Sequence, residues 1–125
     1  MSNPIKVLLV DDEEEFVSTL AERLEMRDFE APVATSGDQA LALVRDQKFD
    51  VIVLDVMMPG IGGLEVMKQV KSAYPDLPVI LLTGHGSTKE GMEGMQEGAF
   101  DYLMKPLDID ELTAKIKEAI GGPDR

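Results

Sequence analysis

The chain has 125 residues, no cysteine and a formal net charge of −12. That length suits one domain with a real core, and the missing cysteines exclude a disulfide framework and thiol chemistry. The acidic balance argues against direct nucleic-acid binding, which needs clustered Lys and Arg.

No apolar run approaches the ~20 residues that span a bilayer. Met1-Ser2-Asn3-Pro4 leads straight into a strand, without the pattern of a signal peptide. The chain therefore reads as soluble and cytoplasmic, with no membrane partner. Ile5 to Val10 is the first strand, a short apolar run that stops on Asp11-Asp12-Glu13-Glu14-Glu15. Acids suit the first turn of a helix, where backbone N–H groups are free. The helix behind them carries Phe16, Leu20 and Leu24 at i, i+4, i+8, with Val17 beside them, and should stop near Arg27-Asp28.

Ala31 to Thr35 is a weaker strand, placed at a sheet edge because Pro32 lacks a ladder donor. Ser36 with Gln39 has the spacing of a capping box, and Ala40, Leu41 and Val44 give the next helix its inner face. The run from Phe49 through Val53 to Leu54 is near-continuous and rich in β-branched residues, as in a parallel strand buried on both faces. It ends on Asp55, and Pro59-Gly60 breaks the chain shortly after. Glu65 to Ala73 is the third helix, with Val66, Met67 and Val70 inward.

Val79 to Leu82 is another buried strand, ending on Thr83-Gly84. Ser87 to Gln96 is helical by period, with Met92 and Met95 predicted inward. Gly91 and Gly94 each cost that helix about 1 kcal/mol relative to Ala, so it is predicted to be the least stable. Ala99 to Met104 is the last strand, followed by Lys105-Pro106. Asp108 caps the last helix, with Glu111 at capping-box spacing, and its stripe is Ile109, Leu112, Ile116 and Ile120. Gly121-Gly122-Pro123 stops it.

Five βα units imply an α/β fold: a doubly wound, five-stranded parallel sheet with helices on both faces. The expected order is 2-1-3-4-5, the flavodoxin-like winding, taken from known folds of this type. Residues 1–125 form a single domain, with 121–125 a short tail or the start of a linker.

Four strands end on polar residues at one edge of that sheet: Asp11 and Asp12, Asp55, Thr83, and Lys105. Open α/β sheets bind ligands there. Carboxylates about 4 Å apart repel by roughly 4 kcal/mol per pair at an effective dielectric near 20. Lys105 offsets part of this, and an all-oxygen site with few protein ligands suits Mg²⁺. A phosphoryl group needs positioning and charge neutralisation, which these residues can supply. Asp55, on the most central strand, is the best candidate nucleophile. As isolated features, these acids could equally be helix caps, Lys105 a solvated lysine and Thr83 a strand residue.

Val10-Asp11-Asp12-Glu13, Val51 to Pro59, Leu82-Thr83-Gly84 and Gly98 to Pro106 together resemble the receiver domain of two-component response regulators. They span the domain in family order and spacing. The resemblance implies that Asp55 accepts phosphate from a phosphohistidine on a sensor histidine kinase or phosphotransfer protein. It implies Mg²⁺ on Asp11, Asp12, Asp55 and the backbone carbonyl of Met57. It gives Thr83 and Lys105 the phosphate contacts, Thr83 and Tyr102 the switch, and Lys105-Pro106 a cis bond. Signalling would then reach a downstream target or effector domain through the face of the fourth helix, fifth strand and fifth helix, homodimerisation being one form of that response. Beyond its own phosphorylation and dephosphorylation such a domain is not an enzyme.

Two departures stand out. Many family members carry Met-Asp-Gly where this chain has Ile61-Gly62-Gly63, which removes an N-cap and predicts a mobile loop. Met57 and His85, two residues past Asp55 and Thr83, flank the family's path for hydrolytic water. Rival readings are an aspartyl-phosphate phosphotransferase or phosphatase, a flavin module on the same fold, and a pseudo-receiver that binds partners without phosphorylation. The first usually wants a second acid at the position of Met57. The second wants a Ser/Thr-rich phosphate loop where this chain has acids.

Overall fold

Strand residues of this chain alternate between two separate apolar layers, and that alternation builds the fold. In the computed structural model, which describes residues 4–84 and 88–121, ten elements alternate along the chain. They are β1 (Val7–Val10), α1 (Glu14–Glu25), β2 (Val33–Ala34), α2 (Gly37–Asp46) and β3 (Val51–Asp55). Then follow α3 (Gly63–Ala73), β4 (Val79–Thr83), α4 (Thr88–Gln96), β5 (Asp101–Met104) and α5 (Ile109–Ala119). The strands pair in parallel in the order β2-β1-β3-β4-β5, the flavodoxin-like order expected. β2 is the edge strand, as Pro32 required; the Pro32 carbonyl still accepts from Leu9 N at 3.0 Å.

One layer joins Val7, Leu9, Val51, Val53, Ile80, Leu82 and Leu103 to α1 and α5. The other joins Leu8, Val10, Ile52, Leu54, Val79 and Leu81 to α2 and α3. Period-two strands thus serve both faces, which is why β1, β3 and β4 read as unbroken apolar runs. Asp28, at φ +70, follows α1, and Gly121, at φ +111, follows α5. His85 and residues 122–125 lie outside the described residues, as does the predicted helix start at Ser87.

Two local expectations are corrected. Ser36 Oγ accepts from Gln39 N at 3.1 Å, but Gln39 Oε1 takes its bond from Thr35 N at 2.8 Å, so the box closes one residue early. Gly63 is buried, and any Cβ there would collide with the Asp55 carbonyl. It is a packing requirement at the start of α3, not slack in a loop. The Gly62 N-cap has no side-chain bond, as the missing acid predicts.

The largest correction concerns α4. Met92 and Met95 face outward, 59% and 38% exposed. The buried positions are Gly91 and Gly94. A Cβ on Gly91 would lie 2.8 Å from Thr83 Cγ2, and one on Gly94 would collide with Leu81 Cδ1. The glycines let α4 sit directly on β4, closer than any helix carrying side chains there.

Candidate functional site

The carboxyl ends of β1 and β3 bring two acids to the same level. Val10 pairs with Leu54, so the next residues, Asp11 and Asp55, are neighbours across the sheet. Asp55 pairs with Leu82, Thr83 with Met104, and Lys105 N donates to the Thr83 carbonyl at 2.8 Å. The Lys105-Pro106 bond is cis, as the resemblance implied.

Asp11 is fully buried and Asp55 nearly so, while Asp12 is exposed. One carboxylate oxygen from each lies within 4.8 Å of the others. Lys105 Nζ stands 2.8 Å from Asp11 Oδ2 and 3.7 Å from Asp55 Oδ2. Asp11 Oδ2 is buried, yet no donor meets it along a hydrogen-bond direction, even with the ammonium this close. Asp11 Oδ1 accepts from Glu13 N at 2.9 Å, and Asp55 Oδ1 from Met57 N at 3.1 Å.

Burial sets the protonation of this site more than charge crowding does. Burial pushes the Asp55 carboxyl up from 3.8 to about 6; the Met57 N–H opposes this, the Asp11 charge adds to it, and Lys105 opposes it. Burial would lower the Lys105 ammonium, but its contacts with Asp11 and Glu13 hold it above its usual value.

The structure thus gathers Asp11, Asp12, Asp55 and Lys105. Thr83 is buried beside them, with its hydroxyl directed at the Leu103 carbonyl over a long 3.5 Å. Tyr102 is half-buried against the α2–α3 layer, its ring 3.7 Å from where a Gly91 Cβ would be. Among the described residues, no hydrogen bond joins Thr83 or Tyr102 to the acidic cluster. The Met57 side chain is exposed.

Two neighbours escaped the sequence reading. Glu13 Oε1 is 2.7 Å from Lys105 Nζ, although Glu13 read only as one of a run of acids suited to the first turn of a helix. The Phe16 ring lies under the same ammonium, 4.6 Å from Nζ to its centroid. The adjacent Asp-Asp-Glu was the available signal for Glu13; nothing in the sequence signalled Phe16.

The three oxygens fit a hard divalent cation such as Mg²⁺, which takes carboxylate ligands and keeps waters. The donor set supports that fit: three carboxylate oxygens converge beside a single lysine, which leaves negative charge for a further cation to offset.

Comparison with known proteins agrees. The response regulator receiver domain family matches residues 7–117. The chain is 39% identical over 114 residues to the response regulator MprA of Mycobacterium sp. (strain KMS), covering 91% of this chain and 50% of that protein. It is 45% identical over 112 residues to the transcriptional regulatory protein CpxR of Escherichia coli (strain K12), covering 90% and 47%. The chain thus spans about half the length of these curated relatives. A response regulator receiver domain protein from Clostridium thermocellum superposes with a TM-score of 0.89 at 33% identity, over 93% of this chain and 94% of that one. With its strand order, its acidic edge and these matches in agreement, the chain belongs to the response regulator receiver domain family.

Proposed function

We propose that this signalling domain accepts a phosphoryl group on Asp55, donated by the phosphohistidine of a sensor histidine kinase or phosphotransfer protein. The observation that carries this is the convergence of three carboxylate oxygens within 4.8 Å beside a lysine. An Asp55 oxygen attacks phosphorus, the new O–P bond forms, and the donor's P–N bond breaks, its electron pair leaving with the imidazole nitrogen. Asp11, Asp12, Asp55 and the Met57 carbonyl would hold Mg²⁺, which supplies charge neutralisation for the phosphoryl oxygens when bound. Lys105 takes one phosphoryl oxygen and the Thr83 hydroxyl another. Reaching it turns that hydroxyl away from the Leu103 carbonyl, a long bond that is cheap to give up.

Gly91 lies directly against Thr83 and Tyr102. A move of Thr83 therefore alters the seat of α4 and the room for the Tyr102 ring, and with them the α4–β5–α5 face. Met92, Met95 and Met104 are exposed on α4 and β5; methionines are adaptable contact residues. A downstream target, an effector domain or a second copy is the proposed reader. No described helix is long and apolar enough to cross a membrane, and a cytoplasmic setting is proposed.

The test is incubation with acetyl phosphate and Mg²⁺ followed by intact mass. A gain of one phosphate in the wild type, absent in Asp55→Asn, is expected. No gain in the wild type would overturn the acceptor role in favour of phosphorylation-independent partner binding.

A further inference from the structure

We infer that Glu13 is a positioning residue for Lys105, fixing the ammonium so that it faces the acceptor carboxylate. This role rests on the acceptor reading of Asp55. Among the described residues, Glu13 is the one acceptor that meets Lys105 Nζ along a hydrogen-bond direction, at 2.7 Å. Asp11 Oδ2 is as close, at 2.8 Å, but lies off that direction. The Phe16 ring closes a further side at 4.6 Å, within cation–π range.

All three contacts come from the turn between β1 and α1 and from the first turns of α1. They enclose an ammonium that arrives on the opposite flank, from the end of β5. An ammonium has three N–H donors. Glu13 takes one, which limits where the other two can turn, while Nζ itself stays 2.8 Å from Asp11 Oδ2 and 3.7 Å from Asp55 Oδ2. A phosphoryl oxygen on Asp55 then meets a donor whose orientation is already fixed, which is where positioned groups gain most. The turn is itself fixed by Asp11 Oδ1, which accepts from Glu13 N at 2.9 Å. The same buried acid thus places the residue that orients the lysine.

Glu13 stands at the N-cap of α1, yet its side chain makes no capping bond. Its carboxylate is therefore not needed to start the helix, and Glu13→Ala leaves the α1 cap intact. Glu14, beside it in the first turn, carries the same charge and makes no ion pair among the described residues. Glu14→Gln is the charge control.

Electrostatics and positioning predict opposite signs. Removing a negative charge near a site for an anionic donor raises attraction for that donor. Removing a positioning contact slows the reaction. Glu13 is largely exposed, and exposed charge pairs shift an equilibrium by roughly 1.5- to 5-fold.

The experiment measures the rate of phosphate gain from acetyl phosphate at saturating Mg²⁺ for the wild type, Glu13→Ala, Glu13→Gln and Glu14→Gln. It adds the side-chain ammonium ¹⁵N resonance of Lys105, assigned by its loss in Lys105→Met, in Mg²⁺-free and phosphate-free protein. Expected are a 1.5- to 5-fold slower rate in both Glu13 variants, an unchanged or faster rate in Glu14→Gln, and a Lys105 resonance that broadens in Glu13→Ala. A wild type that reacts while the Glu13 variants react as fast or faster overturns the Glu13 role alone. So does a Lys105 resonance unchanged in Glu13→Ala. A wild type that gains no phosphate overturns the acceptor reading, and this role with it.

Discussion

Lys105 Nζ lies 2.8 Å from Asp11 Oδ2 but 3.7 Å from Asp55 Oδ2, so of these two buried acids the lysine is paired more closely with Asp11, the one fully buried. Lys105→Met removes the cation and leaves Asp11 buried without one. Breaking a fully buried pair costs about 3–5 kcal/mol; the opening toward exposed Asp12 reduces this to roughly 2–3 kcal/mol. Urea unfolding in EDTA should show that loss. Added Mg²⁺ should restore more stability to the variant than it adds to the wild type, because the metal then replaces the positive charge that Lys105 supplied. Equal Mg²⁺ effects in the two proteins would contradict this pairing.

Asp55 makes stability depend on pH in an unusual direction for a carboxylate. Its folded value is pushed up to about 6 from 3.8, chiefly by burial. Between those values the folded state holds a proton that the unfolded state has lost, so this contribution to stability falls as pH rises through the window. Without metal, the wild type should be more stable at pH 5 than at pH 7 by on the order of 1 kcal/mol from this group. Asp55→Asn should lose that slope and be the more stable protein at pH 7. The Asp101 carboxyl is held below its usual value: burial opposes this, but Lys115 and the Tyr102 N–H outweigh it. Its contribution is lost only on acidification below about 4, outside the window of Asp55. Urea midpoints at the two pH values in EDTA decide the matter; parallel slopes for wild type and Asp55→Asn would remove the prediction.

Gly94→Ala tests the seat of α4. Helix propensity alone predicts a gain of about 1 kcal/mol. The added methyl would collide with Leu81 Cδ1 in the core, and overpacking typically costs 1–3 kcal/mol. The expected result is a net loss of roughly 1 kcal/mol in chemical unfolding. A stabilised variant would show that α4 does not lie this close to β4.

That helix also shows where the sequence stopped being legible. β3, β4 and the acids at strand ends could be read because burial on both faces leaves an apolar run and a polar stop. In α4 the apolar period marked Met92 and Met95 as inward. Glycine has almost no hydropathy, so the buried positions Gly91 and Gly94 looked like defects. Close backbone approach is a property of two elements together, and neither element's pattern records it. Glu13 was hidden for a related reason. Glu13, Glu14 and Glu15 are the same residue type, and only the turn closed by Asp11 Oδ1 decides which one faces Lys105.

On the acceptor reading of Asp55, Met57 is proposed to set the lifetime of the phosphorylated state. Its N–H donates to Asp55 Oδ1, and its side chain is exposed. On the acceptor reading, this bulky apolar side chain impedes the attacking water. Met57→Asn should lose phosphate several-fold faster, followed by intact mass after donor removal. Equal decay rates would assign the lifetime elsewhere.

Two adjacent glycines should respond in opposite ways. Gly62 has nothing within 4 Å of its missing Cβ, and its φ of −71 and ψ of 164 suit any residue. Gly62→Asp supplies α3 with the side-chain cap it lacks and narrows the unfolded ensemble. Together these should stabilise by about 1 kcal/mol. Gly63 allows no such change, because its Cβ would meet the Asp55 carbonyl and Val56 Cα, both backbone. Gly63→Ala must move either the start of α3 or the end of β3. A move of β3 displaces the Asp55 oxygen that accepts from Met57 N. The expected cost is about 3 kcal/mol or more, with weaker Mg²⁺ stabilisation in the same variant. If Gly63→Ala were as stable as Gly62→Asp and bound Mg²⁺ as the wild type does, α3 would not start against the backbone of Asp55.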